Sequence, residues 1–222
     1  MKRNSKIRAI LLIMAISLPI LWIFDPIGVV AMDLKWVVQV GDEFHYRIEY
    51  TYRTYNLEYI PDEVEIWLLP LNNSQIVFEI SDLPSIPILM TPTGFVDSII
   101  NYQKCEVRFE NGSDIADNHR NLLNSLFSKC LLPIGDWNYL DGLYPDTHPT
   151  SSLYDLNRCY KSYFSDDDFF IGNTGSSHHG SAGWYGLVNT TNGVPQSIRQ
   201  YEGWYWGDGT SYSYSLLLIL EE

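Results

Sequence analysis

The sequence predicts an α+β fold: one large antiparallel sheet with its helices gathered on one side. Two observations predict it. Most of the chain after residue 31 alternates apolar and polar residues with period two, the pattern of a half-buried strand. The middle of the chain changes to helical spacing and the last third returns to alternation, so the order is strands, helices, strands.

The first strand is the clearest. Phe44, Tyr46, Ile48, Tyr50 and Tyr52 share one face, and Glu43, His45, Arg47, Glu49, Thr51 and Arg53 share the other. Val64, Ile66 and Leu68 read as a second strand. Ile76, Phe78 and Ile80 read as a third, after the turn Leu71-Asn72-Asn73-Ser74. Cys105, Val107 and Phe109 alternate with Glu106, Arg108 and Glu110, and Asn111-Gly112 closes that strand. One-sided alternation of this kind suits antiparallel pairing.

Ile115, His119, Leu122, Leu123, Leu126, Phe127 and Cys130 recur at three and four, which predicts a helix over about 114–130 packed against the sheet. Ser113 or Asp114 caps its start, Lys129 suits its C-terminal end, and Pro133 stops it. Asp136 caps a shorter helix carrying Trp137, Leu140 and Leu143, and residues 94–101 form another. Residues 144–158, with Pro145 and Pro149, read as a loop. Short strands follow at Tyr160–Phe164 and Phe169–Ile171. Then Gly183–Val188 leads through Asn189-Thr190-Thr191-Asn192-Gly193 into Val194–Trp206, and Gly207-Asp208-Gly209 turns the chain into Ser211–Leu220.

Residues 1–31 read as an export signal. Lys2, Arg3, Lys6 and Arg8 precede the apolar run Ala9–Phe24, and Val29-Val30-Ala31 places small residues at a cleavable site. The alternative is an uncleaved anchor, but the run falls short of the roughly 20 apolar residues that span a bilayer. Residues 32–222 are one domain's worth of chain, secreted or held at the cell surface. The leader holds four of the 14 basic residues and one of the 27 acidic ones, which leaves 10 and 26 and a net charge of −16. Such a chain repels phosphate backbones, which argues against nucleic-acid partners.

Cys105, Cys130 and Cys159 are an odd set without CxxC spacing, so no zinc site or other cofactor is expected. Export permits a disulfide, and the sequence leaves the pairing open. Cys105 and Cys130 lie on apolar faces and read as buried thiols. Asn72, Asn111 and Asn189 each open an N-x-S/T acceptor for glycosylation at a turn. His178-His179 beside Asp166–Asp168 has ligand chemistry but no metal-site spacing, and reads as a mobile polar loop. No nucleophile motif is present.

Three stretches together carry a resemblance: Val40-Gly41-Asp42 before the first strand, Leu132-Pro133-Ile134-Gly135-Asp136-Trp137 after the long helix, and Trp184-Tyr185 with Asn192-Gly193-Val194-Pro195 before the last strands. The combination resembles uncharacterised exported archaeal sheet-rich proteins. Their late hairpins are similar to those of periplasmic lipoprotein-carrier and lipoprotein-binding domains. That resemblance implies a curved sheet, a half-barrel with helices on its concave side, and an apolar hollow able to hold a lipid or acyl chain.

The expected function is therefore an exported, non-enzymatic binding protein for a hydrophobic ligand. Phe44, Tyr46, Tyr50, Ile66, Phe78, Tyr214 and Leu216 are the candidate cavity lining. The alternative is a cell-surface structural or adhesion module, with Trp184, Trp204 and Trp206 as an exposed aromatic patch that stacks on sugars or meets a partner. An extracellular hydrolase is the third reading, since any two acidic residues can meet in space.

Overall fold

The computed structural model describes residues 33–55, 66–88, 90–144, 157–165, 167–205 and 208–221. The leader and its cleavage site, Val64, residues 145–156 and Trp206 lie outside them. Asp33–Glu222 forms one compact unit.

Eight strands make one open antiparallel sheet: β1 Glu43–Tyr55, β2 Gln75–Ile80, β3 Cys105–Phe109, β4 Asn157–Ser165, β5 Asp168–Ser176, β6 Gly180–Asn189, β7 Pro195–Tyr205 and β8 Ser211–Leu220. Their order is β3-β2-β1-β8-β7-β6-β5-β4. The first and last strands pair at its centre, Tyr50 opposite Leu216 and Ile48 opposite Leu218. Three helices interrupt the strands: α1 Pro92–Phe95, continued by a π turn over Val96–Ile100, α2 Asp117–Cys130 and α3 Trp137–Leu143. Antiparallel sheet with helices is thus the observed class.

The alternation of β1 places Tyr46, Ile48 and Tyr50 in the core and His45, Thr51 and Arg53 in solvent. The core condenses on Phe127 of α2. Its ring stacks on Phe78 at 4.4 Å between centroids and meets the edge of Tyr46 at 5.8 Å and Phe44 at 6.0 Å. Leu123, Leu126 and Cys130 bury the same helix face, and Leu122 is half-buried at its margin. The Tyr46 hydroxyl crosses beneath β8 to donate to the Pro195 carbonyl. The backbone of α2 comes nearest β3, β6 and β7. Its C-terminal end approaches β6 so closely that a Cβ on Gly186 would sit 2.6 Å from Cys130 Sγ.

Three expectations are corrected. Ile66–Leu71 is a 3₁₀ helix, not a strand. Leu68 and Leu71, three apart, are both fully buried, and Pro70 has no N–H to give a ladder. The long helix starts at Asp117 with Ala116 as its uncapped N-cap. Ser113 is used instead in a turn, where its N–H and hydroxyl both donate to Asn111 Oδ1. The polar stretch leading to His178-His179 is strand rather than loop: Gly172–Ser176 is the second half of β5, and only Ser177–His179 turn the chain into β6. Elsewhere, Asp136 caps α3 by accepting from Tyr139 N at 3.0 Å.

Candidate functional site

The helix-free face of the sheet is assembled by strand register. On β4, Lys161 and Tyr163 point to it; on β5, Phe170, Gly172 and Thr174; on β6, Ser181, Gly183 and Tyr185. Arg199, Tyr201 and Gly203 of β7, Ser213 and Ser215 of β8, and Thr51 and Arg53 of β1 continue it. All of these but Gly172 and Gly183 border an open cavity of about 720 Å³.

Its wall is a diagonal ladder of rings across four strands. Tyr163 stacks on Phe170 at 4.5 Å and 15°, Phe170 leans on Tyr185 at 5.4 Å, and Tyr185 meets Tyr201 at 6.3 Å. The ladder runs diagonally because glycine holds the facing positions. Gly172 opposes Tyr185 and Gly183 opposes Tyr201. A Cβ on Gly172 would lie 2.9 Å from Tyr185 Cβ, so the absent side chain makes the groove's floor.

Arg199 is held in place. Its Nε donates to Ser215 Oγ at 2.6 Å and its Nη1 to Tyr185 Oη at 3.2 Å. Arg53, Lys161 and Arg199 have no carboxylate partner among the described residues, whereas Arg47, Arg108 and Arg120 each have one. Glu202 borders the cavity along β7, but by register its carboxylate lies on the helix side, where it accepts from Trp204 Nε1 at 2.6 Å and from the Tyr212 and Tyr214 hydroxyls.

The residues singled out in the sequence mostly lie elsewhere. Phe44, Tyr46 and Phe78 pack on Phe127, and Leu216 is fully buried. Tyr50 is buried beside Tyr214, 6.4 Å between ring centroids, and Tyr214 also borders the open groove. Ile66 sits in the 3₁₀ helix, its side chain outside the described part. Trp184 is buried and Trp204 half-buried, both on the helix side by register, and Trp206 lies outside the described residues. Asn189 Oδ1 accepts from Thr191 N and Oγ1, Asn111 makes the same turn with Ser113, and Asn72 Oδ1 accepts from Tyr50 N.

Sequence reasoning missed Tyr163, Phe170, Tyr201, Arg53, Lys161 and Arg199. The available signal was rings at the polar parity of the late strands, interleaved with glycine. Among the described residues no cluster of His, Cys, Asp and Glu has a metal-holding arrangement.

A second unusual group is Lys104, wholly buried at the start of β3. Its Nζ donates to the carbonyls of Ile99, Ser128 at 2.5 Å and Tyr102 at 3.4 Å. Burial lowers its pKa from 10.5 to about 7. Cys105 and Cys130 are free and buried; burial pushes Cys105 up to about 12 and Cys130 well above its ordinary range. They are inert as nucleophiles in that state.

Comparison with protein-family models, curated proteins and solved structures found no match for this chain.

Proposed function

We propose that this is an exported, non-enzymatic binding protein whose site is the aromatic groove on the helix-free face, and that the groove takes a glycan chain. The observation that carries the reading is the four-ring ladder Tyr163–Phe170–Tyr185–Tyr201 bordering an open cavity. Neighbouring strands lie about 4.8 Å apart, so successive rings meet an extended chain at intervals close to one sugar unit. Apolar sugar faces stack on rings, and Thr51, Thr174, Ser181, Ser213 and Ser215 supply hydroxyls for the sugar edges. An acyl chain fits this groove poorly, because its walls are polar as often as apolar and it stands open to water.

The sheet in this reading is a half-barrel that bends around α2. Ser128 Oγ lies 3.6 Å from Cys105 Sγ on β3, and two residues later Cys130 meets Gly186 on β6. Five strand steps on a flat sheet would separate β3 from β6 by about 24 Å, while two helical residues rise only about 3 Å. Curvature accounts for both contacts. Phe127 occupies the space between Phe44, Tyr46 and Phe78 that a carrier's cavity would need. Catalysis on a glycan is not part of the reading: among the described lining residues no pair of carboxylates, as glycoside hydrolysis uses, faces the groove.

Affinity gel electrophoresis tests this. Protein expressed from the full chain should be retarded in gels cast with one or more of a panel of neutral and acidic polysaccharides, and Tyr185→Ala should remove the retardation. Migration unaffected by every polysaccharide would sink the proposal.

A further inference from the structure

Resting on that reading, we infer that the groove selects an acidic polysaccharide, one bearing carboxylate or sulfate groups along its chain. The argument is where the positive charge sits. The chain beyond its leader has 10 basic residues against 26 acidic ones. Three of those 10, Arg53, Lys161 and Arg199, converge on this single cavity from β1, β4 and β7. An acidic body has carboxylates to spare, and it spends them elsewhere: Glu43 meets Arg108 at 2.7 Å and Asp117 meets Arg120 at 3.1 Å. None reaches the three cations of the groove among the described residues. Glu202, on the cavity's border, turns its carboxylate to the helix side by register, where three donors engage it.

Arg199 is built for the role. Ser215 and Tyr185 fix its guanidinium through Nε and Nη1. Its remaining N–H groups stay unbonded to any described carboxylate, and a fixed fork of donors matches a carboxylate or sulfate. The held guanidinium bonds the hydroxyl of Tyr185, a ring of the ladder, so one sugar unit can meet the ring and have its acid group read at the same step. Rings beside cations also suit single-stranded nucleic acid. The net charge of −16 opposes any polyanion alike, and the hydroxyls of Thr51, Thr174, Ser181, Ser213 and Ser215 beside the rings favour a sugar chain over bases.

The test measures binding to three probes: polygalacturonate, the neutral polymer hydroxyethylcellulose, and oligothymidylate. Polygalacturonate should bind at least about tenfold tighter than the neutral polymer and weaken as salt is added. Arg199→Gln, and separately the exposed pair Arg53→Gln with Lys161→Gln, should each erase most of that preference for the acidic polymer. The second variant guards against a folding defect from losing the Ser215 and Tyr185 bonds. Equal binding of neutral and acidic polymers, unaltered by either charge variant, would overturn the acid selectivity and leave the glycan reading standing. Tighter binding of oligothymidylate would overturn it in favour of nucleic acid. No binding of any probe, with Tyr185→Ala indistinguishable from wild type, would remove the glycan reading and this inference with it.

Discussion

The two ends of the sheet's helix-free face solve the same problem in opposite ways. Over β3, β2 and the first half of β1 the face is closed by paired polar side chains. Glu43 and Arg108 join across β2, and His45 lies 3.1 Å from Glu110, so Val77 between them is almost completely buried. Over β7-β6-β5-β4 the face carries rings, glycines and unmatched cations, and it stays open. Cross-strand pairs are the ordinary way to finish an exposed sheet surface. Their absence at one end, in a chain with a large excess of carboxylates, is the observation on which the proposed binding role rests.

The sharpest contrast is between rings that hold the fold and rings that border the groove. Phe127 links α2 to β1 and β2 through three aromatic contacts. Phe127→Ala should cost about 3–5 kcal/mol, measured by urea unfolding. A loss below about 1 kcal/mol would mean that the core is not organised on this ring.

Lys104 tests the closed end by pH. Its folded pKa of about 7 lies below the ordinary 10.5 because burial disfavours the ammonium. Between those two values the unfolded chain binds a proton that the native one has released, so stability rises with pH through that window. Below about pH 7 both states hold the proton and the burial cost is felt in full. Over pH 7.5–9.5 the wild type should gain about 1.4 kcal/mol per pH unit relative to Lys104→Met. Parallel stability profiles for the two proteins would show that Lys104 titrates normally.

How much of this was legible in the sequence follows the same division. The early strands, with rings on one side and charges on the other, read directly as β1, β2 and β3, because a face packed on a helix and a face in water give clean alternation. The site did not read so. Gly172-Asn173-Thr174-Gly175-Ser176 has the composition of a turn, yet it is strand, the missing side chain of Gly172 leaving room for Tyr185 on β6. Both faces of β4–β7 carry rings, so period two no longer separated core from surface, and the tryptophans drew attention to the wrong side. The 3₁₀ helix was missed because Ile66 and Leu68 match a strand over too short a span to distinguish it from Leu68 and Leu71 at three apart.

Gly186 marks the seam between the ends, where β6 meets α2. A methyl group there would lie 2.6 Å from Cys130 Sγ and 3.0 Å from its Cβ. Gly186→Ala should cost about 1–3 kcal/mol, the range for overpacking a filled interior. Pairing it with Cys130→Ala should recover part of the loss, since the two positions touch. An unchanged midpoint for Gly186→Ala alone would place the helix farther from β6 than the structure does.

The smallest effect is the one that decides between the two ends. Arg108 and Lys161 are both on the helix-free face. Arg108 bonds Glu43 at 2.7 Å, and Lys161 has no carboxylate partner among the described residues. Arg108→Gln should lose a few tenths of a kcal/mol to about 1 kcal/mol, the worth of an exposed ion pair. Lys161→Gln breaks no pair, so its unfolding midpoint in urea should stay within about 0.3 kcal/mol of wild type. Raising the salt concentration should shrink the Arg108 effect and leave the Lys161 result where it was. If Lys161→Gln instead destabilises as much as Arg108→Gln, and salt removes that difference too, then Lys161 balances charge within the fold. The open end would then be a second closed one, and the argument from unmatched cations would lose one of its three.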